Sequence, residues 1–306
     1  VAIGQYAMQY YTSAENSIAI GKNTLSATTT GAANVAIGHE ALKANTTASN
    51  NTAVGYKGLT ANTTGTGNVA LGYQNLEALT TGNYNVAIGY DALSSIQTHH
   101  ACVAIGKEAL KDNVQSNNTA VGRVALTDNT SGQYNTAIGD GSLDGNTTAS
   151  YNTAVGHQSL SGVNTGAYNV AIGNQALETN TSGHTNTAVG YHALRLNTTG
   201  YHNVAVGGSD NTSVGAPLGA NTEGRNNVAI GRGALKANTT GKNNVSLGDD
   251  ALGANTTADD NVAVGKDALN LNTTGHSNTA IGRNAMASTT TATYTTGIGR
   301  LDPRLV

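Results

Sequence analysis

Aliphatic and polar positions recur along this chain with a constant period of seventeen. A glycine preceded by Ala-(Ile/Val/Leu), or by a close variant of it, occurs eighteen times, and fifteen of the seventeen intervals between these glycines have this length, as from Gly21 to Gly38 and from Gly38 to Gly55. One of the other two intervals, from Gly106 to Gly122, is shorter by one position, and the other, from Gly207 to Gly231, is longer by seven. A period held in this way over the chain is typical of a solenoid whose coils stack on one another.

The repeating unit reads Asn-(Thr/Val)-Ala-(Ile/Val)-Gly-x-x-Ala-Leu-x-x-Asn-Thr-Thr-Gly-x-x. In one copy, Val35 and Ile37 alternate with Ala36, and this period of two with β-branched residues predicts a short strand. The glycine that follows permits a corner. The next segment, 39–44, is compatible with a bent second strand whose Leu points inward or with a single helical turn. Asn-Thr-Thr then predicts a closing turn.

These elements predict a β-solenoid, that is, a parallel β-roll or β-helix of about eighteen coils, with residues 1–306 forming a single repeat array. We expect one short strand per coil, with Val, Ile and Leu buried between their copies above and below. The two irregular intervals predict changes confined to loops, namely a one-residue deletion near 113–118 and an insertion near 208–214. Loop length costs little free energy, whereas a slip in strand register would turn every side chain to the wrong face.

The asparagine that opens each strand predicts a ladder of stacked amides, because the same side chain at the same corner of every coil can hydrogen-bond along the axis. Ser17, Cys102 and Thr295 replace it in three units, and Cys102 is expected to be a small substitute there and not a reactive thiol. The ladder positions are Asn34, Asn51, Asn68, Asn85, Asn118, Asn135, Asn152, Asn169, Asn186, Asn203, Asn227, Asn244, Asn261 and Asn278.

The composition of the chain excludes several classes of function. It contains no Phe and no Trp, 13 Tyr and 1 Cys, and only 11% of its residues are charged, with a net charge of -3. Enzyme cores of this length normally rely on large aromatic side chains, and this charge offers no basic surface for nucleic acid. One Cys forms no internal disulfide, and no apolar run approaches the roughly 18 residues of a membrane span. We therefore expect neither nucleic-acid binding nor membrane insertion.

No group of residues in the sequence indicates a catalytic, cofactor or metal site. The eight histidines occupy different positions of the unit, and only His99 and His100 are adjacent, whereas metal ligands must converge at fixed spacing. Carboxylates such as Glu40 and Asp91 recur at the corner after the glycine, where solvated surface charge is the expected role. Paired catalytic acids would interrupt the repeat instead of following it. The protein is expected to be non-enzymatic, without cofactor or metal.

The turn asparagines are compatible with two roles. Asn-Thr-Thr is favourable turn chemistry in any protein, and Asn-x-(Ser/Thr) is also the acceptor for N-linked glycans on extracellular proteins. The candidate acceptors are Asn45, Asn62, Asn129, Asn146, Asn180, Asn197, Asn238, Asn255 and Asn272. Five tyrosines share another turn position and are expected either to pack on one another or to bind sugars. These tyrosines are Tyr84, Tyr134, Tyr151, Tyr168 and Tyr294.

Two forms of the strand motif carry a resemblance to known repeats. Asn-Val-Ala-Ile-Gly at 34–38 and 85–89, and Asn-Thr-Ala-Val-Gly at 51–55, 118–122 and 152–156, resemble the head repeats of YadA-like trimeric autotransporter adhesins. They are also similar to repeats upstream of intramolecular-chaperone domains in phage tail fibres. Those adhesin heads use a shorter unit and form left-handed parallel β-rolls that trimerise. The resemblance implies a non-enzymatic fibre or adhesive stalk, extracellular or at the surface of a cell or virion.

The favoured function is a structural or adhesive fibre that self-associates, head to tail into a filament or side by side as a trimer. The chain begins inside a motif at Val1, so we expect a further segment upstream, and an uncovered first strand is expected to recruit another chain. The alternative is a tail-fibre or adhesin shaft that binds surface glycans through 208–218 and the His99-His100 turn. A depolymerising tailspike enzyme and an ice-binding surface are less favoured.

Overall fold

The computed structural model describes residues 1–13, 15–209 and 215–300 of the chain. The fold is a β-solenoid with one short strand per coil, and the described strands pair in parallel, which confirms the predicted fold class. No α-helix occurs within these described ranges. The strands are β1 (Ala2–Ile3), β2 (Ile18–Ile20), β3 (Val35–Ile37), β4 (Thr52–Val54), β5 (Val69–Tyr73), β6 (Val86–Tyr90), β7 (Val103–Ile105), β8 (Thr119–Val121), β9 (Thr136–Ile138), β10 (Thr153–Val155), β11 (Val170–Ile172), β12 (Thr187–Val189), β13 (Val204–Val206), β14 (Val228–Ile230), β15 (Val245–Leu247), β16 (Val262–Val264), β17 (Thr279–Ile281) and β18 (Thr296–Ile298).

The chain contains two compact units, residues 1–149 and residues 150–306. Within the first unit, each strand from β1 to β9 pairs in parallel with the next one along the chain. Within the second unit, the strands from β10 to β18 pair in the same way. Each repeat position pairs with the same position one coil later, so every position forms a row along its unit.

The two irregular intervals leave this register intact. Across the short interval, Val103 still pairs with Thr119, and across the long interval Val204 pairs with Val228. The deletion therefore lies in a turn, as expected. Of the predicted insertion at 208–214, residues 210–214 lie outside the described residues.

The interior of each coil is filled mainly by alanine, leucine and asparagine side chains. From β2 to β17, the inward strand residue, such as Ala36 or Ala53, is fully buried, and so is Leu42 on the opposite side of its coil. The prediction that the strand Val and Ile are also buried was wrong, because Ile37 faces outward and keeps 36% of its surface exposed. The coil is too narrow for them: a methyl group added at Gly58 would lie 3.5 Å from the methyl of Ala53 across the coil.

The second side of each coil consists of turns, and neither the second strand nor the helical turn that the sequence left open is formed. Two residues on this side adopt left-handed backbone conformations, for example Glu40 at φ 58° and Leu42 at φ 51°, and a third, such as Asn50 at φ 61°, lies in the turn before the next strand. This conformation costs an L-residue about 1–2 kcal/mol. Burial of the leucine offsets that cost, together with hydrogen bonds between coils such as the one from Leu42 N–H to Gly58 O at 3.0 Å. A left-handed Leu at this position, replaced by Met8 and Met286 in the terminal units, belongs neither to a helix nor to a strand.

Candidate interaction surface

The fourteen ladder asparagines lie in the interior, each with at most 1% of its surface exposed. Their amides connect successive coils: Oδ1 of Asn34 accepts from the backbone N–H of Asn51 at 3.0 Å, and Nδ2 of Asn51 donates to Gly65 O at 2.8 Å. Each amide thereby satisfies backbone groups that the corner of the coil would otherwise leave buried without partners. The role of this row is to hold neighbouring coils together.

Cys102 occupies a ladder position without the ladder amide. Its backbone N–H donates to Asn85 Oδ1 at 3.0 Å, and its thiol Sγ lies 3.1 Å from Gln115 O. Burial raises the pKa of the Cys102 thiol above its ordinary value. A buried thiol with a raised pKa is unreactive at neutral pH, which agrees with a small structural substitute.

The nine candidate glycan acceptors form a second ladder inside the coils. Asn62 is typical: its Nδ2 donates to Gly65 O at 3.0 Å and to Asn45 Oδ1, one coil earlier, at 3.2 Å. A glycan would be attached to this same nitrogen, and the folded coil encloses it, so acceptor function is incompatible with the fold. The nine residues, all with 0% exposure, are Asn45, Asn62, Asn129, Asn146, Asn180, Asn197, Asn238, Asn255 and Asn272.

Among the described residues, the charged and histidine side chains lie at the surface of the coils, except His192, which is only 5% exposed. Within the described ranges, no three His, Cys, Asp or Glu residues come together in an arrangement that could hold a metal ion. In the predicted contact turn, His100 Nδ1 accepts from the backbone N–H of Asn83 at 2.9 Å. Asp249 lies between Arg232 and Lys266, at 2.8 and 3.2 Å. Partial burial alone would raise the pKa of Asp249, but hydrogen bonds from Lys266 and Arg232 lower it overall, so this carboxylate is a charged member of a surface network.

The outward side of the strands carries two rows of side chains, which we call the strand face. One row contains the residue before the buried alanine and consists of Val, Ile and Thr. The other row contains the residue after that alanine and is aliphatic in every coil, with Ile138 41% and Leu247 43% exposed. In the first unit this second row is Ile3, Ile20, Ile37, Val54, Leu71, Ile88, Ile105, Val121 and Ile138. In the second unit it is Val155, Ile172, Val189, Val206, Ile230, Leu247, Val264, Ile281 and Ile298.

A row of aromatic residues borders the strand face in the first unit. Tyr56, Tyr73 and Tyr90, which we call the tyrosine row, each follow a repeat glycine, and adjacent rings are stacked with centroids 5.1 Å apart. His39 stacks on Tyr56 at 5.4 Å, and Lys107 lies 6.0 Å from the ring of Tyr90. The sequence interpretation missed this row, although its signal was present as tyrosine at one unit position in three successive coils.

The turn tyrosines pack on one another where they are adjacent. The rings of Tyr151 and Tyr168 are stacked at 5.0 Å with an angle of 4° between their planes. Tyr84 is 69% exposed, and its neighbours in the same row are Gly67 and Ala101, which have no rings. In a stack of this kind, each ring covers a face of its neighbour, so the faces on which a sugar would stack are largely occupied.

No helix among the described residues is long and apolar enough to cross a membrane. No family model matches this sequence, and no significant match is found among curated proteins or solved structures. The resemblance to adhesin heads and tail-fibre repeats therefore stays a prediction from the motifs, and the functional argument depends on the surface of the chain itself.

Proposed function

We propose that this protein is a structural fibre component that self-associates side by side, with its strand face covered by the strand faces of further copies. The observation that carries the proposal is the aliphatic row that follows the inward strand residue in every coil of each unit. Contiguous exposed apolar surface of this kind marks interaction sites in soluble proteins. Nothing in the narrow interior needs these side chains, so their repetition supports a role outside the single chain.

A second copy of the chain is the partner that fits this face best. Strands in a parallel sheet are about 4.7–4.9 Å apart, and only a partner with the same coil spacing matches every row over many coils. The first unit alone presents two outward strand-face side chains from each of its nine coils. That number approaches the roughly 20–30 residues a side found in stable interfaces of about 800 Å² per partner.

The free energy of such an association grows with the number of coils. Each half-exposed Ile or Val buries the rest of its apolar surface at about 25 cal/mol per Å², and the gain repeats from coil to coil. A closed trimer around an axis parallel to the strand face is the arrangement that the resemblance implies. Extracellular location and the absence of enzymatic activity belong to the same proposal and rest on the composition and the repeat.

Charge placed on the strand face tests the proposal. In the variant Ile37→Lys with Ile138→Lys, two ammonium groups would be buried in the interface, so the oligomer should dissociate to monomers. The matched control is Thr47→Lys with Thr148→Lys, which adds the same charge to exposed turn positions of the same two coils. The molar mass of each protein is measured by sedimentation and light scattering over a range of concentrations.

We expect the unchanged protein and the control to share one oligomer mass, and the strand-face variant to have the mass of one chain. A wild-type protein that is monomeric at every concentration would overturn the proposal. Equal masses for the strand-face variant and the control would also overturn it, since the interface would then lie elsewhere.

The glycan-binding alternative has no comparable support. Residues 210–214 of its proposed contact region, 208–218, lie outside the described residues. The ring faces of the tyrosine row are stacked on one another. Binding to surface glycans therefore stays a prediction from the resemblance alone.

A further inference from the structure

The tyrosine row brings three phenols together in successive coils. Tyr56, Tyr73 and Tyr90 are 39%, 41% and 45% exposed. Their rings are nearly parallel, with interplanar angles of 14° and 3°. Each phenol is therefore both within reach of a reagent in solvent and in contact with another phenol. The rings differ in this respect from Tyr84, which is more exposed but has no ring next to it in its own row.

The backbone fixes the separation of these phenols. Strands β5 and β6 are the two longest of the described strands, and their pairing extends beyond the glycine corner to Tyr73 and Tyr90 themselves. The two Cα atoms are thus held as partners in a parallel ladder. Groups kept side by side in this way react with each other as if at a very high local concentration.

We propose that the tyrosine row is a site of oxidative coupling, at which the rings of neighbouring coils become joined by a carbon–carbon bond. The oxidant is a one-electron system of the haem peroxidase and hydrogen peroxide class. Each of two phenols loses one electron and one proton and becomes a phenoxyl radical. The radicals combine through the Cε carbons ortho to their oxygens, and the hydrogen on each of these carbons moves to the phenol oxygen. Two tyrosines and one hydrogen peroxide thus yield one dityrosine and two waters.

Coupling would tie neighbouring coils covalently at the border of the strand face. Each bond closes a loop between equivalent positions of adjacent repeat units, and such cross-links restrict the unfolded chain. A protein that functions as a fibre gains resistance to unravelling of its coils. The inference depends only on the ring geometry and holds whether or not the strand face binds further copies.

The experiment treats dilute purified protein with peroxidase and hydrogen peroxide and maps joined peptides by mass spectrometry. Trypsin cuts after Lys43, Lys57 and Lys107, so a Tyr56–Tyr73 bond joins peptides 44–57 and 58–107. A glutamyl endopeptidase cuts after Glu40, Glu77 and Glu108, so a Tyr73–Tyr90 bond joins peptides 41–77 and 78–108. A mixture of isotopically labelled and unlabelled chains distinguishes bonds within a chain from bonds between chains.

The decisive variant is Tyr73→Phe, which keeps the ring stack and removes the phenol shared by both pairs. Both joined species should fall at least tenfold in it, and both should persist in the control Tyr84→Phe. The control also excludes a bond between Tyr73 and Tyr84 as the source of the second species. Absence of the joined peptides in oxidised wild-type protein would overturn the proposal, as would their persistence in Tyr73→Phe or a predominance of mixed-isotope products.

Discussion

The two sides of each strand carry side chains of opposite size. On the inward side, the alanine methyl meets the opposite wall of the coil, where a methyl at position 58 would lie 3.5 Å from that of Ala53. On the outward side stand Val, Ile, Leu and Thr, with Ile172 40% exposed. An ordinary half-buried strand has the reverse arrangement, with its large residues toward the core. The width of the coil, and not hydrophobicity, therefore decides which residues are buried within one chain.

Because of this difference, the inward residues of a strand contribute to the stability of the coil, whereas its outward residues are available for association. Stability of a coil comes from the inward alanines, the left-handed leucines and the two asparagine ladders. Association is expected to come from the outward rows. Substitutions that distinguish the two sides are placed in the second unit wherever possible, so that they share one structural context.

The largest effect is expected for Gly156→Ala at a coil corner. Gly156 has φ 130°, and an added methyl would lie 2.6 Å from Gly173 O in the next coil. Strain and displacement together should lower the free energy of unfolding by about 4 kcal/mol, measured by chemical denaturation. In contrast, Gly58→Ala adds a methyl at ordinary contact distance and should be neutral or stabilising by about 0.4–1 kcal/mol. Equal losses of unfolding free energy in both variants would show that the coil corner has no special requirement for glycine.

Leu160 tests the main apolar filler of the interior. Leu160→Ala leaves a cavity and should reduce the free energy of unfolding by about 3 kcal/mol. Because Leu160 has φ 51°, Leu160→Gly should be no more destabilising than Leu160→Ala, since relief of left-handed strain offsets the lost methyl and the added chain entropy. A glycine variant clearly less stable than the alanine variant would contradict the strain argument.

Asn169 tests the ladder. Its Oδ1 accepts from the backbone N–H of Asn186 at 3.0 Å, and its Nδ2 donates to Gly183 O at 2.9 Å. Asn169→Ala leaves these buried backbone groups without partners and should cost about 2 kcal/mol. Asn174→Ala, at an exposed position, is the matched control and should change the unfolding midpoint little. Similar unfolding midpoints for the two variants would show that the ladder amide does not contribute measurably to stability.

Adjacent residues of β11 compare the two faces directly. Ala171→Val overfills the coil and should cost about 1–2 kcal/mol at any protein concentration. Ile172→Ala should cost less than about 1 kcal/mol in the monomer, because much of the side chain is already exposed. Its deficit should increase at concentrations where the wild type associates, which denaturation at several concentrations would reveal. A deficit for Ile172→Ala that does not depend on concentration would argue against the strand face as the interface.

The smallest effect is expected at Cys102 and depends on pH. Burial raises the thiol pKa in the folded state, so the unfolded chain loses its proton first as the pH rises. The free energy of unfolding should thus be unaffected by this group at neutral pH and should fall as the pH rises through the ordinary thiol pKa. Cys102→Ser should show a shallower alkaline decrease in stability than the wild type. Identical alkaline curves would mean that the thiol ionises equally in both states.

The sequence by itself determined the period of the repeat, the number of coils and the presence of one strand per coil that pairs in parallel with its copies. It also determined that the one-residue deletion lies in a turn. Each of these follows from recurrence alone, because similar units stacked in register place equivalent residues of successive coils next to each other. It also determined that Cys102 stands in a row of asparagines. The position of the tyrosine row was readable in the same way, since Tyr56, Tyr73 and Tyr90 occupy the same position of three successive units.

Only the tertiary structure decided which side of the strand faces inward. The alternation along the strand is the same whether Ala36 is buried or the pair Val35 and Ile37 is buried. Hydrophobicity alone would predict burial of the larger residues. The choice depends on the width of the coil, which is set by left-handed turns at residues such as Leu42 that no local propensity predicts. The same closure takes Asn45 from an exposed turn into the interior. There its Nδ2 donates to Ala48 O in its own turn, and its Oδ1 accepts from Nδ2 of Asn62 in the next coil, so the buried amide has partners on both sides.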